Sequence, residues 1–193
     1  MNMTTIVAYS LCRNRSSANG KILRFNFDIR QSIEFKSLIF MSKPRKSSIA
    51  GDFRVISITG DGRCLFRSVV HGACLRAGRP VPKENVTQGL ADDLRTKVVK
   101  ELIKRRTESE WFLEGDFETY VSHMQRSYVW GGEPELLMSS HVLKVPITVY
   151  MKDRKTNSIK VIAEYGQEYG NQNPVTVLYH DYGHYDLLQL RVS

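Results

Sequence analysis

The chain is organised around residues 60–67, which read Gly-Asp-Gly-Arg-Cys-Leu-Phe-Arg. A turn signal from Gly60 to Gly62 opens into a segment whose apolar residues recur with helical periodicity, so Cys64 is predicted to lie in the first turn of a helix. The N–H groups of a first turn have no partner within the helix, and the helix dipole is positive there. We therefore expect a lowered pKa for the Cys64 thiol and a sulfur that acts as a nucleophile.

The glycines of this stretch also favour catalysis. Glycine lets the backbone approach a substrate closely and can point N–H groups at a developing oxyanion. The alternative is that Cys64 is only a small buried hydrophobic residue, which is the commoner role of a cysteine. The two interpretations differ in whether the fold brings a base to the sulfur.

The charge of the chain is concentrated near its start. The 193 residues carry 28 basic and 20 acidic side chains and a net charge of +8. Residues 1–50 hold nine of the basic and two of the acidic residues, so residues 51–193 are nearly neutral. A nearly neutral domain is a weak candidate for a nucleic-acid-binding surface, and we expect no nucleic-acid partner.

We divide the chain into a basic leader, residues 1–50, predicted to be an irregular, disordered N-terminal extension, and a globular domain, residues 51–193. The leader is rich in Ser and Arg and poor in acids, which is typical of organelle transit segments; an extension without a targeting role is the alternative. No run approaches the roughly 18 apolar residues of a membrane span. The cysteines, Cys12, Cys64 and Cys74, form no CxxC pair, which favours a reducing compartment, and we expect the cytoplasm.

Helical patterns come first in the domain and strand patterns follow them. Helices are predicted from Cys64 to about Ala77, over about residues 85–106, within residues 111–128 and over about residues 133–143. Strands are predicted at residues 147–150, 158–163, 175–180 and 184–190, after an extended segment at residues 53–59. This order implies an α+β domain with a small β-sheet.

The second predicted helix is amphipathic. One face carries apolar residues at helical spacing, Leu90, Leu94, Val98 and Leu102. The other face carries the charged residues Asp92, Asp93, Arg95, Lys97, Lys100, Lys104, Arg105 and Arg106. We interpret this charged face as solvated rather than as a binding patch.

A cysteine nucleophile needs a base within hydrogen-bond reach and a group that orients the base. His71 lies about 10 Å along the helix axis from Cys64, which is too far to accept its proton. His123 and His141 fall in helical segments without a suitably placed acid. These three histidines are therefore not expected to serve the sulfur.

The pattern favours His184 as the base. It follows a glycine, begins a strand and precedes Asp186 by two residues, and residues i and i+2 of a strand share a face. The carboxylate can therefore fix the imidazole tautomer and stabilise the imidazolium, as in a catalytic triad. His180 ends the preceding strand, and its neighbour Asp181 points to the opposite face. The sequence predicts a Cys64–His184–Asp186 site if the start of this strand meets the cysteine loop.

A zinc site is the other common use of Cys and His side chains. Cys64, His71 and Cys74 have the wrong spacing for zinc ligands, and the sequence offers no second close pair. We therefore expect neither a metal nor another cofactor, and we interpret Cys74 as a buried structural thiol.

These motifs resemble those of the ovarian-tumour (OTU) family of papain-like cysteine proteases, which remove ubiquitin from proteins. The family's nucleophile motif, Asp-Gly-x-Cys-Leu-Phe-Arg, is matched by residues 61–67, and its late His-Tyr-Asp strand by residues 184–186. A Trp-Gly-Gly segment with a Glu-Leu helix and a Pro-Ile-x-Val strand also match, at residues 130–137 and 146–150. The similarity covers about residues 51–190, is strongest to plant members and does not include the leader.

The resemblance implies a papain-like fold in which the small sheet packs between helices. It also implies that Cys64 is the nucleophile, that His184 is the general base and that Asp186 orients His184. Asp61 would belong to the loop that forms the oxyanion site.

The resemblance further implies that backbone N–H groups around Gly62, Arg63 and Cys64 hold the oxyanion. Members of the family commonly have Asn where this chain has Arg63. We assign the Arg63 side chain no role.

The activity that the resemblance implies is hydrolysis of isopeptide bonds, and of peptide and thioester bonds, after the C-terminal glycine of ubiquitin. The partners would be ubiquitin, polyubiquitin chains and ubiquitinated proteins, and the enzyme would be a monomer. The basic tail of ubiquitin suits a channel with some acidic lining, for which the candidates are Glu133, Glu135, Glu164 and Glu168. Two alternatives stay open: a ubiquitin-binding module with little or no turnover, and a nucleic-acid or membrane-surface protein that uses its leader.

Overall fold

The computed structural model describes residues 48–49, 53–153, 158–180 and 182–190. The helices are α1 (Cys64–Arg76), α2 (Glu84–Lys104), α3 (Arg106–Ser109), α4 (Phe117–Met124) and α5 (Glu133–Leu143). The strands are β1 (Ser48–Ile49), β2 (Phe53–Ile56), β3 (Ile147–Lys152), β4 (Ile159–Tyr165), β5 (Val175–His180) and β6 (His184–Leu190). Short 3-10 turns lie at Glu110–Phe112 and Gln167–Tyr169. All five helices come before the four strands β3 to β6, and this separation of helices from strands confirms the predicted α+β class.

Most of the predicted leader, residues 1–47, lies outside the described residues. Near its end, β1 adds a two-residue strand to the sheet, with Ser48 opposite Lys160 and Ile49 opposite Ile159. The division of the chain at residue 50 stays a prediction.

The six strands form one mixed sheet in the order β1–β4–β3–β5–β6–β2. The β3–β5 pair is parallel and the other neighbours are antiparallel. A tight turn joins β5 to β6, so that His180 stands opposite His184. At the other side of β6, Ile56 of β2 stands opposite Leu187. The chain that leaves β2 therefore runs past the start of β6 on its way to the cysteine loop.

Helix α1 packs closely against β5 and β6. Its side chains Leu65, Phe66 and Val69 are fully buried. The close approach is made possible by Gly72, because a methyl group at this position would lie 2.6 Å from a methyl carbon of Val175. The tight contact fixes the height and the angle of α1 on the sheet, and with them the position of Cys64.

The remaining helices cover α1 and extend the core. The predicted apolar stripe of α2 is confirmed, because Leu90, Leu94, Val98 and Leu102 are all fully buried. Helix α2 packs against α1, α4 and α5. Among the helices of the described residues we find no candidate for crossing a membrane; even α2, with 21 residues, has a charged outer face.

The packing of α1 on the sheet predicts that Gly72→Ala destabilises the domain by about 1–3 kcal/mol, the usual cost of overpacking a core. Gly89→Ala in α2 is the matched control, since nothing lies within 4 Å of its added methyl group. Because Ala is favoured over Gly inside a helix, we expect Gly89→Ala to stabilise the domain by about 0.5–1 kcal/mol. Urea unfolding measures both changes. The same sign for both variants would contradict the close approach of α1 to the sheet.

Candidate active site

Cys64 is the first residue of α1, as predicted, and it lies against the start of β6. It is 3% exposed, and its sulfur accepts hydrogen bonds from the backbone N–H groups of Tyr185 and Leu65. Burial raises the pKa of the Cys64 thiol, and these hydrogen bonds offset the effect only in part. The expectation of a lowered thiol pKa is therefore wrong. The helix terminus acts as expected, but the desolvation that outweighs it comes from tertiary packing.

His184 and Asp186 lie side by side, as their positions in a strand predict. The His184 Nε2 atom is 3.1 Å from Asp186 Oδ1, which also accepts a hydrogen bond of 2.8 Å from the Ile58 N–H. An ionised carboxylate only accepts hydrogen bonds, so Nε2 carries the hydrogen of the neutral imidazole. Its Nδ1 atom faces the cysteine loop, 3.6 Å from the point where a Cβ atom of Gly60 would stand. The imidazole thus presents a proton-accepting nitrogen toward the loop that carries Cys64.

A second histidine shares the same carboxylate. His180 Nε2 lies 2.9 Å from Asp186 Oδ2, so each carboxylate oxygen has an imidazole partner. The prediction that His180 takes no part rests only on the direction of its neighbour Asp181. The signal that would have found it is the tight turn between β5 and β6, because a short hairpin places His180 across from His184 on one face of the sheet.

Other histidines are engaged away from this site. His71 Nε2 lies 3.0 Å from the Thr87 hydroxyl, and His141 Nδ1 lies 2.8 Å from the Tyr169 hydroxyl. Burial lowers the pKa of both imidazoles, which keeps them neutral near pH 7. Across the described part of the chain, no three His, Cys, Asp or Glu side chains are grouped as metal ligands.

The carboxylate of Asp61 holds the cysteine loop in shape. Its Oδ1 atom accepts a hydrogen bond of 3.1 Å from the Arg63 N–H, and its Oδ2 atom lies 2.7 Å from a guanidinium nitrogen of Arg67. The Arg63 guanidinium continues to Asp92 of α2, with Nε at 2.8 Å from Oδ1, and Arg67 forms an ion pair with Glu84. The network ties the loop to the first turn of α1 and, through Glu84 and Asp92, to the N-terminal half of α2.

This network corrects the expectation for Arg63. Its backbone N–H was expected to help hold an oxyanion, but here it is already bonded to Asp61 Oδ1. Its side chain, to which the sequence assigned no role, joins Asp61 to Asp92 across two elements. An aspartate that accepts from the N–H two residues later is a common turn motif.

Gly62 fits where no other residue would. Its φ angle is 90°, in the left-handed region that glycine adopts without strain. A Cβ atom at this position would lie 2.3 Å from the carbonyl oxygen of Tyr128. The cysteine loop is therefore seated directly on the backbone that follows α4.

Arg95 links these two segments, and its prediction as part of a solvated face is wrong. The residue is 2% exposed, and its guanidinium lies under the Gly62 carbonyl, 2.8 Å from the oxygen. The same group reaches carbonyl oxygens of Ser127 and Val129. Helical spacing places Arg95 next to Leu94 and Val98 at the margin of the buried stripe, but only the packing of the loop decides its burial.

Glu135 is also buried, so it is not available as an acidic lining residue. Its two carboxylate oxygens accept hydrogen bonds of 2.7 Å from the Gly132 N–H and from the Tyr120 hydroxyl. Burial raises the pKa of this carboxyl, and the two hydrogen bonds oppose that rise. The other three acidic candidates, Glu133, Glu164 and Glu168, are exposed, and their role in a channel stays a prediction.

The arrangement of a helix-terminal thiol, an imidazole and a carboxylate is that of a cysteine hydrolase. A protein-family model described as "OTU-like cysteine protease" matches residues 59–186. The chain belongs to the OTU-like cysteine protease family. The matched segment begins just before the cysteine loop and ends at Asp186, so it contains Asp61, Cys64, Arg95 and His184.

The plant protein named OVARIAN TUMOR DOMAIN-containing deubiquitinating enzyme 4, from Arabidopsis thaliana, is 61% identical over 142 residues, which are 74% of this chain and 45% of that protein. Deubiquitinating enzyme 3 of the same series and organism is 31% identical over 160 residues, which are 71% of this chain and 68% of that protein. Deubiquitinase OTUD6B of Xenopus laevis is 26% identical and covers 72% of this chain. The chain spans less than half the length of the first and third of these relatives.

Solved OTU structures share the fold at low sequence identity. The Hazara virus OTU bound to ubiquitin aligns with a TM-score of 0.60 and 21% identity, over 78% of this chain and 89% of that one. The OTUD1 OTU domain aligns with a TM-score of 0.57 and 22% identity, over 70% of this chain and 85% of that one. These likenesses confirm the predicted OTU fold.

The seating of the OTU cysteine loop predicts different costs for two glycine substitutions. Gly62→Ala combines a left-handed backbone with an overlap at Tyr128, and we expect it to destabilise the domain by about 2 kcal/mol or more. Gly78→Ala has a similar φ of 70° but open space around the added methyl group, so we expect about 1 kcal/mol. Thermal unfolding of both variants gives the difference. Equal costs would mean that the loop does not rest on Tyr128.

The raised pKa of the Cys64 thiol predicts a pH dependence that His184 controls. In His184→Ala no imidazole takes the proton, so alkylation of Cys64 by iodoacetamide should stay slow at pH 7 and rise only above about pH 9, beyond the ordinary thiol value. The wild-type protein should react at pH 7 at least about tenfold faster, because Nδ1 of His184 accepts the proton. Mass spectrometry of the Cys64 peptide follows the reaction, and His123→Ala is the control. Identical pH profiles for wild type and His184→Ala would contradict the pairing.

Proposed function

We propose that this chain is a cysteine-type deubiquitinase that hydrolyses the bond after the C-terminal glycine of ubiquitin. In this proposal Cys64 is the nucleophile, His184 is the general base and Asp186 orients His184. The observation that carries it is the hydrogen bond that His184 Nε2 donates to Asp186 Oδ1. This bond leaves Nδ1 facing the cysteine loop, and the next residue, Tyr185, contacts the sulfur. Membership of the OTU-like cysteine protease family and the names of its relatives support it.

The first half of the reaction forms a thioester. His184 Nδ1 takes the proton of Cys64, and the thiolate attacks the carbonyl carbon of the scissile isopeptide bond. The carbonyl oxygen becomes an oxyanion in the tetrahedral intermediate. His184 then gives its proton to the leaving amine as the carbon–nitrogen bond breaks, and the ubiquitin carbonyl stays on the sulfur of Cys64.

The second half returns the enzyme to its starting state. His184 takes a proton from water, the hydroxide attacks the thioester carbonyl, and the carbon–sulfur bond breaks. His184 then gives its proton back to the sulfur of Cys64, and the released C-terminal acid of ubiquitin loses its proton to solvent and leaves as a carboxylate. Asp186 stays ionised throughout and stabilises the imidazolium that forms in each half. The cycle needs no metal and no other cofactor.

The oxyanion is held by backbone N–H groups of the cysteine loop in this proposal. Since the Arg63 N–H is bonded to Asp61, the groups that remain from the predicted set are those of Gly62 and Cys64. Donors that are fixed before the reaction stabilise the developing charge without reorganisation. Asp61 contributes by holding the loop rather than by touching the substrate.

A ubiquitin-binding module with little turnover is the second candidate. It is favoured by the burial of Cys64, which raises the thiol pKa and keeps the resting sulfur protonated. A site of this kind reacts only if substrate binding improves the alignment of its groups. Both candidates predict affinity for ubiquitin, and they differ in whether any ubiquitin bond is cleaved.

We further propose that the chain acts as a monomer in the cytoplasm on ubiquitin, polyubiquitin chains or ubiquitinated proteins, without a nucleic-acid partner. Cys64 forms no disulfide among the described residues, which suits a reducing compartment. The excess positive charge belongs to residues 1–50 rather than to the domain. Tagging the chain with and without those fifty residues locates it directly.

The proposed function predicts the behaviour of three variants toward ubiquitin carrying a C-terminal fluorogenic amide. Cys64→Ala should have no measurable hydrolysis, and His184→Ala should lose about 10²–10⁴-fold in kcat, the usual contribution of a general base. Asp186→Asn should lose less than His184→Ala, because the imidazole remains. Circular dichroism of each variant monitors the fold. Hydrolysis that survives Cys64→Ala would overturn the catalytic assignment, and wild-type binding without cleavage of any linkage-defined diubiquitin would favour the binding module.

A further inference from the structure

We propose that Arg95 is a positioning residue for the oxyanion loop, because its buried guanidinium holds the Gly62 carbonyl and thereby orients the peptide groups that precede the nucleophile. The inference rests on the proposed hydrolytic function and deepens it by assigning a residue that touches neither substrate nor sulfur.

The first observation is the number of carbonyl groups around one guanidinium. Arg95 Nη2 lies 2.8 Å from the Gly62 oxygen, 2.8 Å from the Val129 oxygen and 3.1 Å from the Ser127 oxygen. Its Nη1 atom lies 3.2 Å from the Met124 oxygen. The Arg95 guanidinium therefore joins the cysteine loop to the segment after α4 by hydrogen bonds from one cation.

The second observation is that the Gly62–Arg63 peptide group is held at both ends. The Arg95 guanidinium donates to the carbonyl oxygen of this peptide group, and the N–H of the same group donates to Asp61 Oδ1. A peptide group is planar, so two such bonds leave it little freedom to rotate. The next N–H along the chain is that of Cys64, whose direction depends on this plane.

The third observation is that Arg95 carries its positive charge in a buried position beside the loop. The Arg95 side chain is buried, and its guanidinium carbon lies 4.3 Å from the centre of the Phe66 ring. Burial lowers the pKa of Arg95 to about 10. It still carries its proton near pH 7, and the buried carboxylate of Glu135 helps to keep it charged. A cation behind the Gly62 carbonyl also polarises the peptide, which makes its loop a better electrostatic environment for an oxyanion.

A lysine could keep the charge but not the geometry. The guanidinium presents its donors in a rigid planar fork, whereas an ammonium group is a compact point charge on a flexible stem. One ammonium group cannot reach carbonyl oxygens on both sides of the fork at the same distances. Arg95→Lys should therefore fall between the wild type and a variant without charge.

The test separates hydrolysis from labelling of the same thiol. A ubiquitin probe that ends in propargylamide reacts when the sulfur of Cys64 bonds to the internal alkyne carbon and the thiol proton goes to the terminal carbon. This reaction needs ubiquitin binding, Cys64 and His184, but it forms no oxyanion. Hydrolysis of the fluorogenic ubiquitin amide needs all of these and the oxyanion donors as well.

We expect Arg95→Met to reduce kcat about 10–100-fold, where kcat is calculated per molecule of protein whose Cys64 the alkyne probe labels. This reduction is smaller than the one expected from removing a whole oxyanion donor. KM and the rate of alkyne labelling should stay within about threefold of the wild type, and Arg95→Lys should lose less kcat than Arg95→Met. Leu102→Ala is the matched control, because it removes a fully buried side chain from the same helix, two turns from Arg95. Its kcat per labelled thiol should not change.

The outcomes are distinguishable. If each variant, Arg95→Met and Arg95→Lys, lost labelling as much as hydrolysis, Arg95 would be a merely structural residue and the inference would be overturned. Unchanged hydrolysis in both variants, or a failure of both to fold, would overturn it as well. A wild-type protein that neither hydrolyses ubiquitin amide nor reacts with the alkyne would instead overturn the proposed function itself.

Discussion

The domain depends on one junction, where the first turn of α1 meets the first residues of β6. The backbone of Tyr185 donates to the sulfur of Cys64, and the Ile58 N–H donates to the carboxylate of Asp186. The two contacts join the chain before α1, α1 itself and the last strand. Because the sulfur is both buried and hydrogen-bonded at this junction, its acidity is set by two opposed effects, and desolvation is the larger one. The thiol of Cys64 is therefore less acidic than an exposed cysteine thiol.

Buried charges surround the loop that leads into this junction. Arg95 and Glu135 are almost completely buried, and Asp61 joins two arginines at the edge of the same region. Buried ionic groups add little net stability, because the loss of hydration offsets their attraction. The hydrogen bonds that they make to backbone groups nevertheless restrict the backbone around them. In this domain the restricted backbone is the loop of Gly62, and its φ of 90° lets it rest on Tyr128.

Much of this arrangement could be predicted from local patterns. The apolar stripe of α2 follows from helical spacing, the turn at Gly60 to Gly62 marks the start of α1, and strand alternation places His184 beside Asp186 at 3.1 Å. Each of these features depends on residues within a few positions of one another, for which the geometry of a helix or a strand is fixed.

Other features depend on elements that meet only after folding. The charge pattern alone predicts a solvated Arg95 and an acidic lining role for Glu135, and strand alternation alone gives His180 no part in the site. Arg95 and Glu135 are buried by segments that lie far away in sequence, and His180 reaches Asp186 across a hairpin. The charge of a residue indicates that it prefers water, but a cluster of backbone carbonyls can replace that water.

Spacing along the chain is enough to predict the order of the elements, the helix-terminal position of Cys64 and the pairing of His184 with Asp186. The raised pKa of the Cys64 thiol, the burial of Arg95 against the Gly62 carbonyl and the hydrogen bond from the Arg63 N–H to Asp61 arise only when the chain is folded. The pKa of a side chain and its hydrogen-bond partners depend on which groups surround it and keep water away. Those groups come from segments that are distant in sequence and meet only through packing.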